Sequence, residues 1–318
     1  MSPSFALLLG LILLFFGGEL LVRGSVDLAL KMRISTLVVG MTVVSFATSA
    51  PELFVSLQAV LNGSNDIAFG NVIGSNIANI TLVLGFTALI FRVKISEQTA
   101  ILNYPFLLFS SLFFGAVMYY FNGIPKEIGF LFFLLLLLFT WLLISKSRKE
   151  KLKLVNDEGE LLQVASSDSL FKSLIFLVSG MFLLKFGADH LVDGTIAIAK
   201  KFQISERVIA VTVVAIGTSI PELATSIVAA FKKEHNLAVG NLIGSNIFNI
   251  LAVLGIVASI KEINIVDSAI LSFDYVWMIC ITFLLGLFIY TFSKRQISRA
   301  EGILLLLVYI FYIYSCIY

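Results

Sequence analysis

The residues that could do chemistry in this 318-residue chain come in two matching groups. Thr48-Ser49-Ala50-Pro51-Glu52 lies inside a long apolar stretch, and Thr218-Ser219-Ile220-Pro221-Glu222 follows the same pattern at an offset of 222 − 52 = 170. A carboxylate at bilayer depth costs about 2.5 to 3.5 kcal/mol on insertion scales, so each glutamate reads first as a functional group facing protein or a water-filled cavity. Proline has no N–H for the carbonyl four residues back, so Pro51 and Pro221 free the C=O groups of Ala47 and Gly217. Ser45, Thr48, Ser49, Glu52 and Ser56 fall at i, i+3, i+4, i+7 and i+11, which puts their oxygens on one helical face. Thr218, Ser219, Glu222 and Ser226 repeat that face, with Ala215 in place of the first serine. Carboxylate, hydroxyl and carbonyl oxygens, with no thiol or imidazole among them, suit a hard cation.

The elements that position these groups must be membrane-spanning helices. With 59% hydrophobic residues, 13% charged and a mean hydropathy of +1.01, the chain carries too much apolar surface for a soluble domain and reads as an all-α polytopic membrane protein. Its net charge of +2 says little about partners, because the distribution of Lys and Arg among loops is what matters in a membrane. Without a basic patch interleaved with aromatics, no nucleic-acid partner is indicated, and no obligatory protein partner is evident beyond the lipid bilayer. Cys280 and Cys316 lie in apolar spans and read as packing residues, not as a disulfide or a cysteine metal site. The first segment, Met1 to Val22, lacks a basic n-region and a clear cleavage site and is expected to be a retained helix. Spans follow at about 37 to 61, 67 to 91, 99 to 121 and 126 to 145, then at about 170 to 199, 207 to 231, 238 to 260, 269 to 292 and 300 to 317. The expectation is ten transmembrane helices. A polar linker, 146–168, divides 1–145 from 169–318.

The duplication reaches well beyond the acidic segments. At the offset of 170, 40–85 aligns with 210–255 without a gap, and Gly17 and Gly24 match Gly187 and Gly194. Five helices separate equivalent positions, an odd number, so the second copy enters the membrane the other way round. Two inverted five-helix repeats are expected, with the substrate site near the midplane where they meet. Each carries a second polar stripe at i, i+4, i+8: Asn71, Ser75 and Asn79, matched by Asn241, Ser245 and Asn249. Such side chains can also serve as interhelical hydrogen-bonding groups. With the amino terminus outside, fifteen loop lysines and arginines fall inside and five outside, which favours both termini outside and a cytoplasmic linker. The absence of targeting segments suggests the plasma membrane.

At these residues the chain resembles the cation/calcium antiporter superfamily, in particular its microbial sodium/calcium exchanger branch. The two Thr-Ser-x-Pro-Glu segments and the two Gly-Ser-Asn-x-x-Asn segments, beginning at Gly74 and Gly244, match the alpha-1 and alpha-2 motifs of that family, and the ten-helix inverted layout matches it over nearly the whole chain. The resemblance implies that Glu52 and Glu222 coordinate calcium together with oxygens around Thr48 and Thr218. It further implies that Ser49, Ser75, Ser219 and Ser245 complete sodium sites, and that Asn79 and Asn249 line the centre. It implies three sodium ions exchanged per calcium, and first and sixth helices that slide across the other eight to alternate access. The ions are cargo, and no resident cofactor is expected. Some members carry an aspartate where this chain has Asn249, which leaves two central carboxylates here. The alternative reading is a calcium/proton antiporter, whose usual Gly-Asn-x-x-Glu pattern the chain lacks. An intramembrane serine hydrolase would need a base within hydrogen-bond reach, and neither repeated segment contains a histidine. A passive channel is the third class, distinguished by flux without countertransport. Glu19, Asp27, Asp189 and Asp193 read first as solvated or helix-end residues, His190 and His235 as surface or interface groups, and Asp274 has no assignment.

Overall fold

The computed structural model describes residues 2–158, 169–201, 217–292 and 295–317. Apolar runs of 18 residues or more become helices, as they must where backbone groups have no water to bond. In chain order these are α1 (Pro3–Met32), α2 (Thr36–Thr48), α3 (Ala50–Leu61), α4 (Asn65–Ile90), α5 (Thr99–Phe121), α6 (Lys126–Glu158), α7 (Leu170–Lys201), α8 (Ile220–Phe231), α9 (His235–Ile260), α10 (Ile270–Phe292) and α11 (Arg299–Ile317). Among the described residues, eight helices are long and apolar enough to cross a membrane, and α2 with α3 forms a ninth span if the bent pair counts as one. The start of the expected seventh span, from 207 to 216, and the end of the linker, from 159 to 168, lie outside the described residues.

Two helices outrun the lengths that hydropathy suggests. α1 continues to Met32, where Arg33 takes the left-handed conformation (φ 55°) and its N–H returns to the Ala29 and Leu30 carbonyls. α6 carries on through the first part of the polar linker to Glu158. Good helix formers such as Lys, Glu and Leu keep the backbone bonded after the apolar run has ended.

α4 and α9 form the centre, with 78% and 83% of their most apolar windows buried. They pack against α2, α3 and α8, while α6 and α11 lie alongside and leave apolar faces such as Phe130, Leu134, Leu307 and Phe311 outward. α1 and α7 pair antiparallel along glycines seven residues apart: Gly10, Gly17 and Gly24 on one, Gly180, Gly187 and Gly194 on the other. The backbones nearly touch there. A Cβ at Gly17 would stand 2.7 Å from the Leu184 nitrogen, and one at Gly180 would stand 2.6 Å from that of Leu21.

Short antiparallel ribbons cross-tie the halves. β1 (Val93–Lys94) pairs with β4 (Gln296–Ile297) in the register Val93 to Ile297, and β2 (Gly123–Ile124) pairs with β3 (Ile263–Asn264) in the register Ile124 to Ile263. The Asp66 carboxylate, in the first turn of α4, accepts the N–H groups of Val266 and Asp267 at 3.0 and 2.9 Å. Lys261 donates to the Val60 carbonyl at the end of α3 (2.8 Å), and Phe91 packs edge-on against Phe231.

Candidate cation site

The acidic segments sit where two helices begin anew. Ser49 leaves the α2 helix with φ −85° and ψ 3°, Pro51 opens α3, and the axes of α2 and α3 differ by 44°. Ser219 has φ −90° and ψ 1°, and Pro221 opens α8 in the same way. Equivalent sequences thus give equivalent breaks, in which proline supplies no N–H to the Ala47 or Gly217 carbonyl. Each glutamate falls in the first turn of its helix, where the backbone N–H groups favour negative charge.

Both carboxylates are completely buried, and none of their four oxygens has a hydrogen-bonding partner. They stand close enough to repel one another, and the hydroxyls of Thr48 and Ser49 lie beside the Glu222 carboxyl across the two halves. The Oγ atoms of Ser49 and Ser219, both polar atoms of Asn79 and the Oδ1 of Asn249 are buried and unpartnered as well. Buried charge without compensation is costly, so each of these carboxylates must either carry a proton or be matched by positive charge.

The remaining predicted residues form the frame. Thr48 Oγ1 donates to Asn241 Oδ1 at 3.2 Å and lies 3.3 Å from Ser245 Oγ. Ser245 Oγ donates to Asn241 Oδ1 at 3.4 Å. Asn249 Nδ2 donates to Ser75 Oγ at 2.9 Å and to Asn76 Oδ1 at 3.1 Å, which leaves its carbonyl oxygen for the interior. Asn79 and Asn249 each open a π-helical stretch, Asn79–Val83 and Asn249–Leu254, whose wider turns loosen the backbone ladder at this depth. Gly217 is buried, while Ala47 and Thr218 are partly so.

One sequence expectation needs correction. Ser45 does not share a face with Glu52: its hydroxyl turns to the Gly40 carbonyl (2.8 Å) and the Asn241 carbonyl (3.2 Å), because α2 ends before the glutamate and the bend removes the common axis. Residues without an assigned role also matter. Asn71 Nδ2 bonds the Glu52 carbonyl at 3.2 Å and Ser56 Oγ at 3.0 Å, while its counterpart Asn241 leaves Nδ2 buried and unpartnered, as is Ser226 Oγ. Asn76 adds a bridge to the Asn246 carbonyl at 3.3 Å. For Asn71 and Asn241 membership in the repeated stripes was the available signal, and for Asn76 the recurrence of Gly-Ser-Asn at 74–76 and 244–246. Asp274 accepts a bond from the Tyr312 hydroxyl at 3.3 Å, away from this centre.

A cleft of about 140 Å³ reaches the two breaks from one side. Ala47, Ala50, Pro51, Phe54 and Pro221 face Met181, Phe182, Leu184 and Lys185 of α7 across it.

Fold and site together define a helical, membrane-embedded protein with a doubly acidic, oxygen-lined centre where two sequence-related helix sets meet. The family model for sodium/calcium exchanger protein matches residues 3–145 and 172–318, and the chain belongs to that family. It is 36% identical over 304 residues to the inner membrane protein YrbG of Escherichia coli (strain K12), covering 94% of this chain and 92% of that one. It is 30% identical over 353 residues to the sodium/calcium exchanger MaX1 of Methanosarcina acetivorans, covering 98% and 97%. Among solved structures it resembles the sodium-calcium exchanger NCX_Mj, soaked with sodium and calcium, with a TM-score of 0.82, 30% identity and 99% of both chains covered.

Proposed function

We propose that this protein is a secondary antiporter that exchanges calcium for sodium across the membrane, by alternating access and with net movement of charge. It is a transporter and not an enzyme. The observation that carries the reading is the pair Glu52 and Glu222, completely buried, mutually repelling and unpartnered among hydroxyl and amide oxygens. Two negative charges match one dehydrated divalent ion, which takes about six to eight oxygens. In this reading the carboxylates, the Ala47 and Gly217 carbonyls and the hydroxyls of Thr48 and Thr218 hold calcium. Ser49, Ser75, Ser219, Ser245, Asn79 and Asn249 extend the oxygen set to sodium, whose single charge requires several ions at several sites. A proton would need only the carboxylates, so the surrounding hydroxyls and amides favour sodium over proton exchange.

The same proposal takes α2 with α3 as one span and α8 as part of another, giving ten helices in two inverted repeats, 1–145 and 169–318, around the linker 146–168. Contacts between distant loops support the grouping of loops by side, while the charges alone say which side is inside. β1 pairs with β4 and β2 with β3, and each ribbon joins loops that the charge count assigns to a common side. Both termini then lie outside the plasma membrane and the linker lies in the cytoplasm.

The test is calcium entry into sodium-loaded vesicles diluted into sodium-free calcium medium, with pH clamped by an ionophore. Entry should follow the sodium gradient and accelerate when the membrane potential is shunted. Entry that ignored sodium and followed an imposed pH gradient would establish calcium/proton exchange instead.

A further inference from the structure

Asn71 and Asn241 are equivalent positions, 241 − 71 = 170, yet they make different bonds. Asn71 turns to its own half: Nδ2 donates to the Glu52 carbonyl at 3.2 Å and to Ser56 Oγ at 3.0 Å, which pins α4 to the first two turns of α3, where the carboxylate is carried. Asn241 turns instead to the hydroxyls of the centre. Its Oδ1 accepts from Thr48 Oγ1 of the first half at 3.2 Å and from Ser245 Oγ of its own at 3.4 Å. The clamp that would match that of Asn71 is not made, and both atoms it needs, Asn241 Nδ2 and Ser226 Oγ, are buried and unpartnered. Ser75 departs in the complementary way, since its hydroxyl donates to the Val72 carbonyl of its own helix at 3.1 Å while its equivalent Ser245 donates to Asn241. Each arrangement does a different job. A hydroxyl has one proton, and an oxygen that is to hold a cation must direct that proton away from the ion. Asn241 Oδ1 receives the protons of Thr48 and Ser245 and so leaves their lone pairs for the centre, as groups behind metal ligands commonly do. Asn71 fixes the backbone that carries Glu52.

We propose that Asn71 and Asn241 are positioning residues that exchange these two jobs during the transport cycle. When access changes sides, Asn241 Nδ2 clamps the Glu222 carbonyl and Ser226, while Asn71 Oδ1 takes over the hydroxyls of Thr218 and Ser75. The proposal rests on the reading of the protein as an alternating-access exchanger, in which the two inverted repeats trade conformations about a fixed site. It accounts for two observations together. Asn241 Nδ2 and Ser226 Oγ, costly as buried orphans, are the two ends of one bond that the other half already makes. Serines also stand at 56 and 226, one turn beyond each carboxylate and outside the oxygens assigned to the ions, where the clamps need an acceptor.

The experiment compares Ser56→Ala with Ser226→Ala, equivalent substitutions that each remove the acceptor of one clamp and no proposed ion ligand. Ser56→Ala weakens the arrangement seen here and Ser226→Ala weakens only its counterpart, so they should move the balance of states in opposite directions, each about fivefold, the usual worth of one hydrogen bond. Apparent affinity on a face scales with the fraction of protein competent to bind there. In reconstituted vesicles the ratio of half-saturating calcium on the two faces should therefore shift about fivefold one way in Ser56→Ala and about fivefold the other way in Ser226→Ala. In an Asn71→Leu or Asn241→Leu background, where the respective bond is already gone, the same alanine should move the ratio by less than about twofold. Shifts of the same sign, no shift, or a shift that survives the leucine would overturn the proposal. Unfolding in mild calcium-free detergent reads the asymmetry without transport: Ser56→Ala should lower the unfolding temperature by roughly 2 °C, and Ser226→Ala should leave it level or raise it. Equal losses there would also overturn the proposal. Vesicles whose calcium followed pH and ignored sodium would sink the antiport reading above, while the calcium ratio and the unfolding pair still tested this one.

Discussion

Tyr104 and Tyr275 make the same contact in opposite directions. The Tyr104 hydroxyl donates to the Thr282 carbonyl at 3.0 Å and lies over Gly286, while the Tyr275 hydroxyl donates to the Ser111 carbonyl at 3.2 Å and lies over Gly115. The offsets agree: 275 − 104, 282 − 111 and 286 − 115 all equal 171. α5 and α10 thus exchange equivalent knobs across an antiparallel seam, and the glycines are there because the phenol ring fills the space of a side chain. A duplicated unit packed against its own copy about a two-fold axis has this property, which supports the inverted-repeat reading.

From that exchange, Tyr104→Phe and Tyr275→Phe should each destabilise the protein by about 1 kcal/mol, the usual net worth of one such bond. The double variant should lose about the sum, and unfolding in mild detergent measures all three. Unequal losses would mean that the two halves have diverged in packing at this seam.

Glu52→Gln and Glu222→Gln should each abolish calcium transport. Because glutamine keeps the shape and removes a buried charge, stability in calcium-free buffer should stay level or rise. Wild-type protein should gain about 2.7 kcal/mol when calcium stands at a hundred times its dissociation constant, and neither variant should show that gain. Near-normal calcium flux in either variant would refute the assignment of these carboxylates.

Pro51→Ala and Pro221→Ala restore an N–H that can close on the Ala47 or Gly217 carbonyl. Each should weaken calcium binding about tenfold, roughly 1.4 kcal/mol, while making the helix more continuous. Calorimetric titration of calcium decides it, and unchanged affinity would remove those carbonyls from the ligand set.

Much of the centre was legible because its chemistry is local. The acidic segments, the proline breaks and the Asn71 and Asn241 stripes are readable as spacing, since i, i+4 neighbours share a face in any helix. The bend at Ser49 was half legible: proline announces a break, but only packing sets its 44° angle and turns Ser45 away. Helix ends were harder to read. Arg23, Asp27 and Lys31 look like the end of a span, yet they recur every four residues along one edge of α1, and Arg23 lies 4.9 Å over the Phe176 ring. Hydropathy marks where lipid stops, not where backbone hydrogen bonding stops. Asp189 keeps the exposure expected of a solvated residue, and its pairing with Lys185 one turn earlier was there to read in the i, i+4 spacing.

The glycine seam of α1 and α7 bears on what can move. Seven residues of helix rise about 10.5 Å, so glycines in register meet again only after a shift of that length, and any shorter slip drives backbone into side chain. The two helices are geared to each other and must travel as one body. Their leash is short: three residues separate Met32 from Thr36, and four peptide units span at most about 14 Å. In the alternating access proposed above, whatever stroke the pair makes along the remaining helices ends where that leash draws tight, so the length of a three-residue turn limits its travel.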